Sequence, residues 1–212
     1  MSRSVLIGED GVARCWWGAS DPHYVPYHDR EWGFPVADDR RLFEKICLEG
    51  FQAGLSWLTI LRKREAFRSA FAGFDMEKVS RFDAKRVARL LADPGIIRHR
   101  GKIESAIHNA RRAIELVGEA GSLAAFVWRF EPATSRRPRR LTRAVVQRLT
   151  ETPESRALSK ELRRRGFRFV GPTTLYAFMQ SVGIVNDHLE ACAARPRAEA
   201  ARARFVPPVG GG

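Results

Sequence analysis

The sequence predicts a single all-α domain. Apolar residues recur at three- and four-residue intervals along most of the 212-residue chain. No alternating apolar–polar run is long enough to form a sheet. Gly and Pro breakers cut the chain into pieces of helical length. Thirteen Phe and five Trp supply the apolar surface of a core that needs no covalent staples. The domain is expected over 14–194, after an extension at 1–13 and before an Ala/Arg/Pro/Gly-rich flexible tail at 195–212.

The elements follow in order. Asp38 or Asp39 caps a first helix whose apolar face is Leu42, Phe43, Ile46 and Cys47, with Gly50 as its stop. A second helix carries Leu55, Leu58, Ile60, Leu61 and Phe67. A third spans about 83–92 with Val87, Leu90 and Leu91, closed by Pro94-Gly95. A fourth runs from about His99 through Ile103, Ile107 and Ile114. Residues 122–130 form a short helix, 131–143 a loop, and about 154–165 and 173–182 two more helices.

The charge points to a polyanionic partner. The chain carries 37 basic and 24 acidic residues, net +13, and the stretch 132–170 alone holds twelve basic and three acidic ones. Such a cluster suits a surface that tracks phosphates. No uncharged apolar run approaches the ~18 residues of a membrane span. The start MSRSVLIGED is too briefly apolar for a signal peptide. Three cysteines, an odd count, argue against a disulfide framework. A cytoplasmic, monomeric protein with no membrane partner is expected.

Two motifs carry chemistry. Cys15 and His28 near one end, with His188 and Cys192 near the other, make a Cys2His2 set suited to tetrahedral structural zinc. The H-x3-C spacing puts His188 and Cys192 on one face of a helical turn. Cys47, on an apolar face, reads as core. The second motif is Gly166-Phe-Arg-Phe-Val-Gly171 between two helices in the basic stretch. Its glycines permit close backbone approach. The helix start after Gly171-Pro172 offers free N–H groups to a phosphate, and Arg163, Arg164, Arg165 and Arg168 add charge.

This order resembles the helix–hairpin–helix DNA glycosylase superfamily. Where many members place a catalytic Asp, this chain has Asn186, with Asp187 displaced by one. Where strand-cleaving members have Lys, it has Thr173. The stretch RCWWGASDPHYVPYHDREWGFPVADDRRLFEKICLEGFQAGLSWLTILRKRE, with GIIRHRGKI, LSKELRRRGFRFVGPTTLYAFMQ and VNDH, resembles the 3-methyladenine DNA glycosylase I family over about 14–192. The resemblance implies a helix–hairpin–helix fold, a structural zinc on Cys15, His28, His188 and Cys192, and monofunctional excision of 3-methyladenine, with 3-methylguanine as a second substrate, from double-stranded DNA in base excision repair.

The family's base-contacting glutamate falls on Glu49. In the sequence this residue stands at the end of the first core helix, where a carboxylate opposes the helix dipole at a cost of ~0.3–1 kcal/mol. Trp57, Tyr27, Trp17 and Tyr24 would form an aromatic pocket attractive to a cationic base. Gly166, Gly171, Arg164 and Arg168 would contact DNA, and Leu55 would fill the gap left by the flipped base. A non-catalytic backbone-binding module explains the charge and the hairpin. It leaves the joint occurrence of Glu49, Trp57, Tyr24 and Tyr27 without a reason.

Overall fold

The computed structural model describes residues 4–210. It is an assembly of helices with one short antiparallel ribbon, β1 (Val5–Ile7) against β2 (Ala13–Cys15), in which Val5 pairs with Cys15. The ribbon corrects the expectation of no strand and of a bare extension over 1–13; residues 1–3 of that extension lie outside the described residues. Gly11, at φ +73, closes its turn.

Helix α2 (Asp39–Gln52) is the central strut. Asp38 caps it by accepting from the Arg41 amide at 2.8 Å. Asp39 reaches away and accepts from the amides of Leu123 and Ala124, holding the start of α8 (Leu123–Val127). Leu42, Phe43, Ile46, Cys47, Leu48 and Phe51 enter the main core. Gly50 does not stop the helix, which continues to Gln52. A β-carbon on Gly50 would stand 3.3 Å from that of Phe169, so the glycine lets the 166–171 turn lie against α2.

The expected second helix is two, α3 (Trp57–Arg62) and α4 (Arg64–Ala70), separated at Lys63. Ser56 caps α3. Next come α5 (Met76–Ser80) and α6 (Ala84–Ala92), each capped by an Asp, then the long α7 (Arg100–Ala120). A further helix, α9 (Arg143–Arg148), follows the Arg-rich loop. The pair α10 (Pro153–Arg164) and α11 (Pro172–Ser181) brackets the glycine-bounded turn. Ala194–Arg204 forms α12, where the sequence reads as a flexible tail. Arg202 docks it, pairing with Glu131 and lying over the Trp128 ring. Residues 211–212 lie outside the described part.

The turn between α10 and α11 is clamped by α7. Asn109 accepts from the Arg168 amide and donates to its carbonyl, at 2.8 and 2.9 Å. The His108 ring donates to the Gly166 carbonyl at 2.8 Å. These clamps hold Phe169 in a left-handed conformation, φ +56, that a non-glycine residue rarely adopts.

Gly183, at φ +73, lies against the Phe34–Pro35 peptide, where a β-carbon would come within 2.3 Å of backbone. Gly183→Ala is expected to lose about 2–4 kcal/mol through left-handed strain and overlap. Gly118→Ala, on the exposed face of α7 with open space, should gain up to ~1 kcal/mol. Thermal midpoints of the two variants check both signs.

Candidate active site

Helix α2 and α1 (Tyr24–Arg30) face one another across a cavity of about 330 Å³. Its wall contains Trp17, Tyr24, Tyr27, Glu49 and Trp57, so the five residues singled out in the sequence meet at one place. Tyr27 and Trp57 stand with ring centroids 5.4 Å apart. Trp17 meets Tyr24 edge-on at 5.4 Å and Trp32 at 4.9 Å. The Trp57 indole N–H is buried with no hydrogen-bond partner.

Glu49 is buried, 4% exposed, rather than sitting at a frayed helix end. Burial, opposed by the Lys45 charge one helical turn earlier, leaves its carboxyl pushed up to about 8. Burial also raises the Tyr27 hydroxyl, with Glu49 and Glu31 adding to the effect. The cavity therefore offers several π faces and a carboxyl group that an incoming cation would help to ionise, the equipment of a receptor for a flat organic cation.

Sequence reasoning missed part of the wall. Trp16, Trp32, Gln52, Gln180 and a strip from α9 and the two residues after it (Val146, Gln147, Leu149, Thr150) also line it. Gln180 was legible only as a helix residue. In the structure it donates to Asp187 Oδ2 at 2.8 Å. Asp187 also accepts from Tyr176 Oη at 2.6 Å and from Arg137. This carboxylate is fully engaged and buried, and neither it nor Asn186 lines the cavity.

Leu55 is 41% exposed and follows Gly54, whose φ is +78. It borders a shallow groove with Thr173 and Thr174, and that groove shares Glu49 and Gln52 with the aromatic cavity. Lys102 Nζ fixes the base of this loop by donating to the Phe51 and Ala53 carbonyls. Arg168 and Gly171 lie on the turn and at the start of α11. Arg164 and Gly166 line a separate cleft of mixed charge with Arg112, Glu115 and Glu119, and Arg164 pairs with Glu161 at 3.1 Å.

Of the four expected metal ligands, Cys15, His28 and Cys192 bring donor atoms within 4.8 Å of one another, all buried. His188 is adjacent, its ring 4.8 Å from that of His28. The His188–Cys192 segment is not a helical turn as the spacing predicts. It is an extended loop turning back at Cys192, whose amide donates to the Leu189 carbonyl. Cys192 is held as a thiolate by a hydrogen bond from the Cys15 thiol and by His28, while Cys15 is raised.

Residues 16–195 match the methyladenine glycosylase family. A DNA-3-methyladenine glycosylase 1 of Escherichia coli K12 is 47% identical over 186 residues, 87% of this chain and 98% of that protein. A DNA-3-methyladenine glycosylase of Haemophilus influenzae is 46% identical, over 85% and 97%. A 3-methyladenine DNA glycosylase I from Staphylococcus aureus, studied for its recognition of 3-methyladenine, superposes with a TM-score of 0.80 at 36% identity, covering 86% of this chain and 96% of that one.

Proposed function

From a chain that belongs to the methyladenine glycosylase family, we infer an enzyme that turns 3-methyladenine out of alkylated DNA and hydrolyses its N-glycosidic bond. The observation that carries this is the buried Glu49 facing Tyr27 and Trp57 in one aromatic cavity.

Alkylation at N3 makes the base a cation and hence an activated leaving group, which departs neutral when the bond to the sugar breaks. Little general-acid work is left for the protein. It must draw the nucleotide from the stack, which costs a few kcal/mol, and hold it. Glu49 supplies the charge that selects a cation over neutral adenine. Tyr27 and Trp57, tilted against one another, offer π faces to one side of the ring, with Trp17 and Tyr24 completing the aromatic wall. Leu55, on its exposed loop, fills the vacated space in the duplex. Arg168 and the free amides at the start of α11, beside Gly171, take backbone phosphates. Arg164 and Gly166, in their mixed-charge cleft, would extend that contact at its edge.

Water ends the reaction. Thr173 stands where a lyase would present an amine, and Lys45, although close, is buried behind Tyr27 and is no part of the cavity wall. Treatment of methylated duplex with the protein should release 3-methyladenine, seen by chromatography, and leave an intact abasic strand. Borohydride should trap no adduct. A covalent protein–DNA product, or no base release, would contradict the reading.

Three of the four metal-type residues, Cys15, His28 and Cys192, gather their donor atoms as a structural zinc requires, and the His188 ring stands beside them. Zinc with ~2.3 Å bonds to sulfur spaces its donors by about 3.8 Å, and Cys192 Sγ lies 3.5 Å from His28 Nε2. His28 Nδ1 donates to Asp29 Oδ1 at 2.7 Å, and Asp29 is gripped by Arg14. His188 Nδ1 donates to Asn186 Oδ1 at 2.8 Å. That tautomer leaves the His188 Nε2 lone pair 3.2 Å from the His28 carbonyl oxygen, with no donor among the described residues. Burial, with His28 alongside, holds this ring down to about 4, so it stays neutral and ligand-ready. Cys15, His28, His188 and Cys192 would hold the ion, which when bound ties the β2 end to the loop before α12. Purified protein should carry about one zinc per chain. Cys15→Ala and His188→Ala should abolish it, whereas Cys47→Ser should cost about 1–3 kcal/mol for a buried hydroxyl and keep it. Elemental analysis with thermal melts decides.

A further inference from the structure

We propose that Lys45 is a positioning residue whose charge eases ionisation of the Glu49 carboxyl inside the aromatic wall and thereby sets the pH above which the enzyme accepts a cationic base.

Lys45 is an unusual group to bury. Its side chain is 2% exposed. Its ammonium lies 4.4 Å from the Tyr27 ring centroid and 5.6 Å from that of Trp57. Among the described residues it has no hydrogen bond of good geometry, and its one ion pair, with Glu31, is loose at 3.4 Å. A lysine kept for structure would use its three donors, as Lys102 does on the carbonyls at the end of α2. What Lys45 brings to this place is charge, which burial and the nearby Arg64 weaken, pulling the ammonium down to about 8, and which Glu31, Glu49 and Glu44 help it keep through neutral pH.

The surrounding charges show where it is needed. From the end of α1, Glu31 accepts two hydrogen bonds from Arg64 Nη1 and stands 3.4 Å from Lys45. From α2, Glu44 accepts from Arg64 at 2.6 Å and from Arg68 at 3.0 Å, both on α4. Arg64 is thus occupied by Glu31 and Glu44. Glu49, on the same face of α2 as Lys45 and one turn later, makes no ion pair of its own. Tyr27 from α1 and Gln180 from α11 bring no charge to it. Among the described residues, Lys45 is the one cation whose field acts on the carboxyl, and it opposes the upward push of burial. Lys45 does not line the cavity, so it reaches the base only through Glu49 and Tyr27.

The proposal rests on Glu49 as the base's partner, and two readouts separate the two ideas. The first needs no substrate. Protein with carbon-13-labelled glutamate carboxyls is titrated by NMR, and Glu49→Gln identifies the Glu49 signal. Lys45→Met should move the Glu49 midpoint upward by about one pH unit or more. Lys45→Arg should leave it near the wild-type value. Lys45→Gln carries the same expectation as Met should the latter fail to fold. An unmoved midpoint in the folded uncharged variant overturns the proposal. The second readout is single-turnover release of 3-methyladenine against pH. Its acid limb should shift with the carboxyl midpoint, and the rates should converge at high pH. A uniform loss at every pH marks a merely structural lysine and overturns the proposal. A shifted carboxyl with an unshifted release profile removes Glu49 from base recognition, and with it the link from Lys45 to the reaction.

Discussion

Keeping a carboxylate charged within a wall of aromatic rings is the constraint on which this structure turns. Removing an ion from water costs several kcal/mol unless other charges answer it. Helix α2 meets the demand by carrying Glu44, Lys45 and Glu49 into the interior on one strut. Arg64 from α4 neutralises Glu44 and Glu31 and so fixes α1, α2 and α4 to one another. The same ion pairs that consolidate the fold leave Glu49 unpaired at the cavity, with Lys45 one helical turn away behind Tyr27. Stability and recognition are built from one set of charges.

The opposite wall depends on the chain's two ends. Tyr27 precedes His28, so whatever fixes the His28 ring also fixes the hydroxyl and π face that look at Glu49. Arg14 on β2 holds Asp29, Asp29 holds His28, and Cys192 comes from the far end of the chain to meet it. The hairpin side is tied in similarly. Phe169 packs over Gly50 on α2, and α7 clamps its neighbours. Movement of the turn is therefore felt directly beside Glu49.

Much of this was legible in the sequence, for physical reasons. Helices α6, α7, α10 and α11 bury one face each, and that burial writes a 3.6-residue period; α2 is buried all round over 42–51 but sets its apolar residues at the same helical spacing. Helices α5 and α9 have five and six residues, too few to show a period. Helix α12 escaped because its contacts are Ala194, Ala198 and an arginine laid over Trp128, not an apolar stripe. Gly50 read as a helix stop, since glycine is a poor helix former, and its actual reason lies 119 residues away at Phe169. Ending the helix there also hid how deeply Glu49 is buried. Trp32, Gln180 and the α9 strip are non-local members of the cavity wall, and no spacing within their own segments reveals them.

Charge selection by Glu49 is the centre of the account. Its most direct test is single-turnover release of 3-methyladenine from methylated duplex by Glu49→Gln, with the thermal midpoint taken alongside. Glutamine keeps the size and one acceptor but removes the charge. A charge-assisted bond is about twice as strong as a neutral one, so release should slow roughly ten- to a hundredfold, a loss of ~1–3 kcal/mol. The variant should melt no lower than wild type, because an ion buried at a desolvation cost has gone. Wild-type release by a folded Glu49→Gln protein would contradict the account and leave selection to the aromatic rings alone.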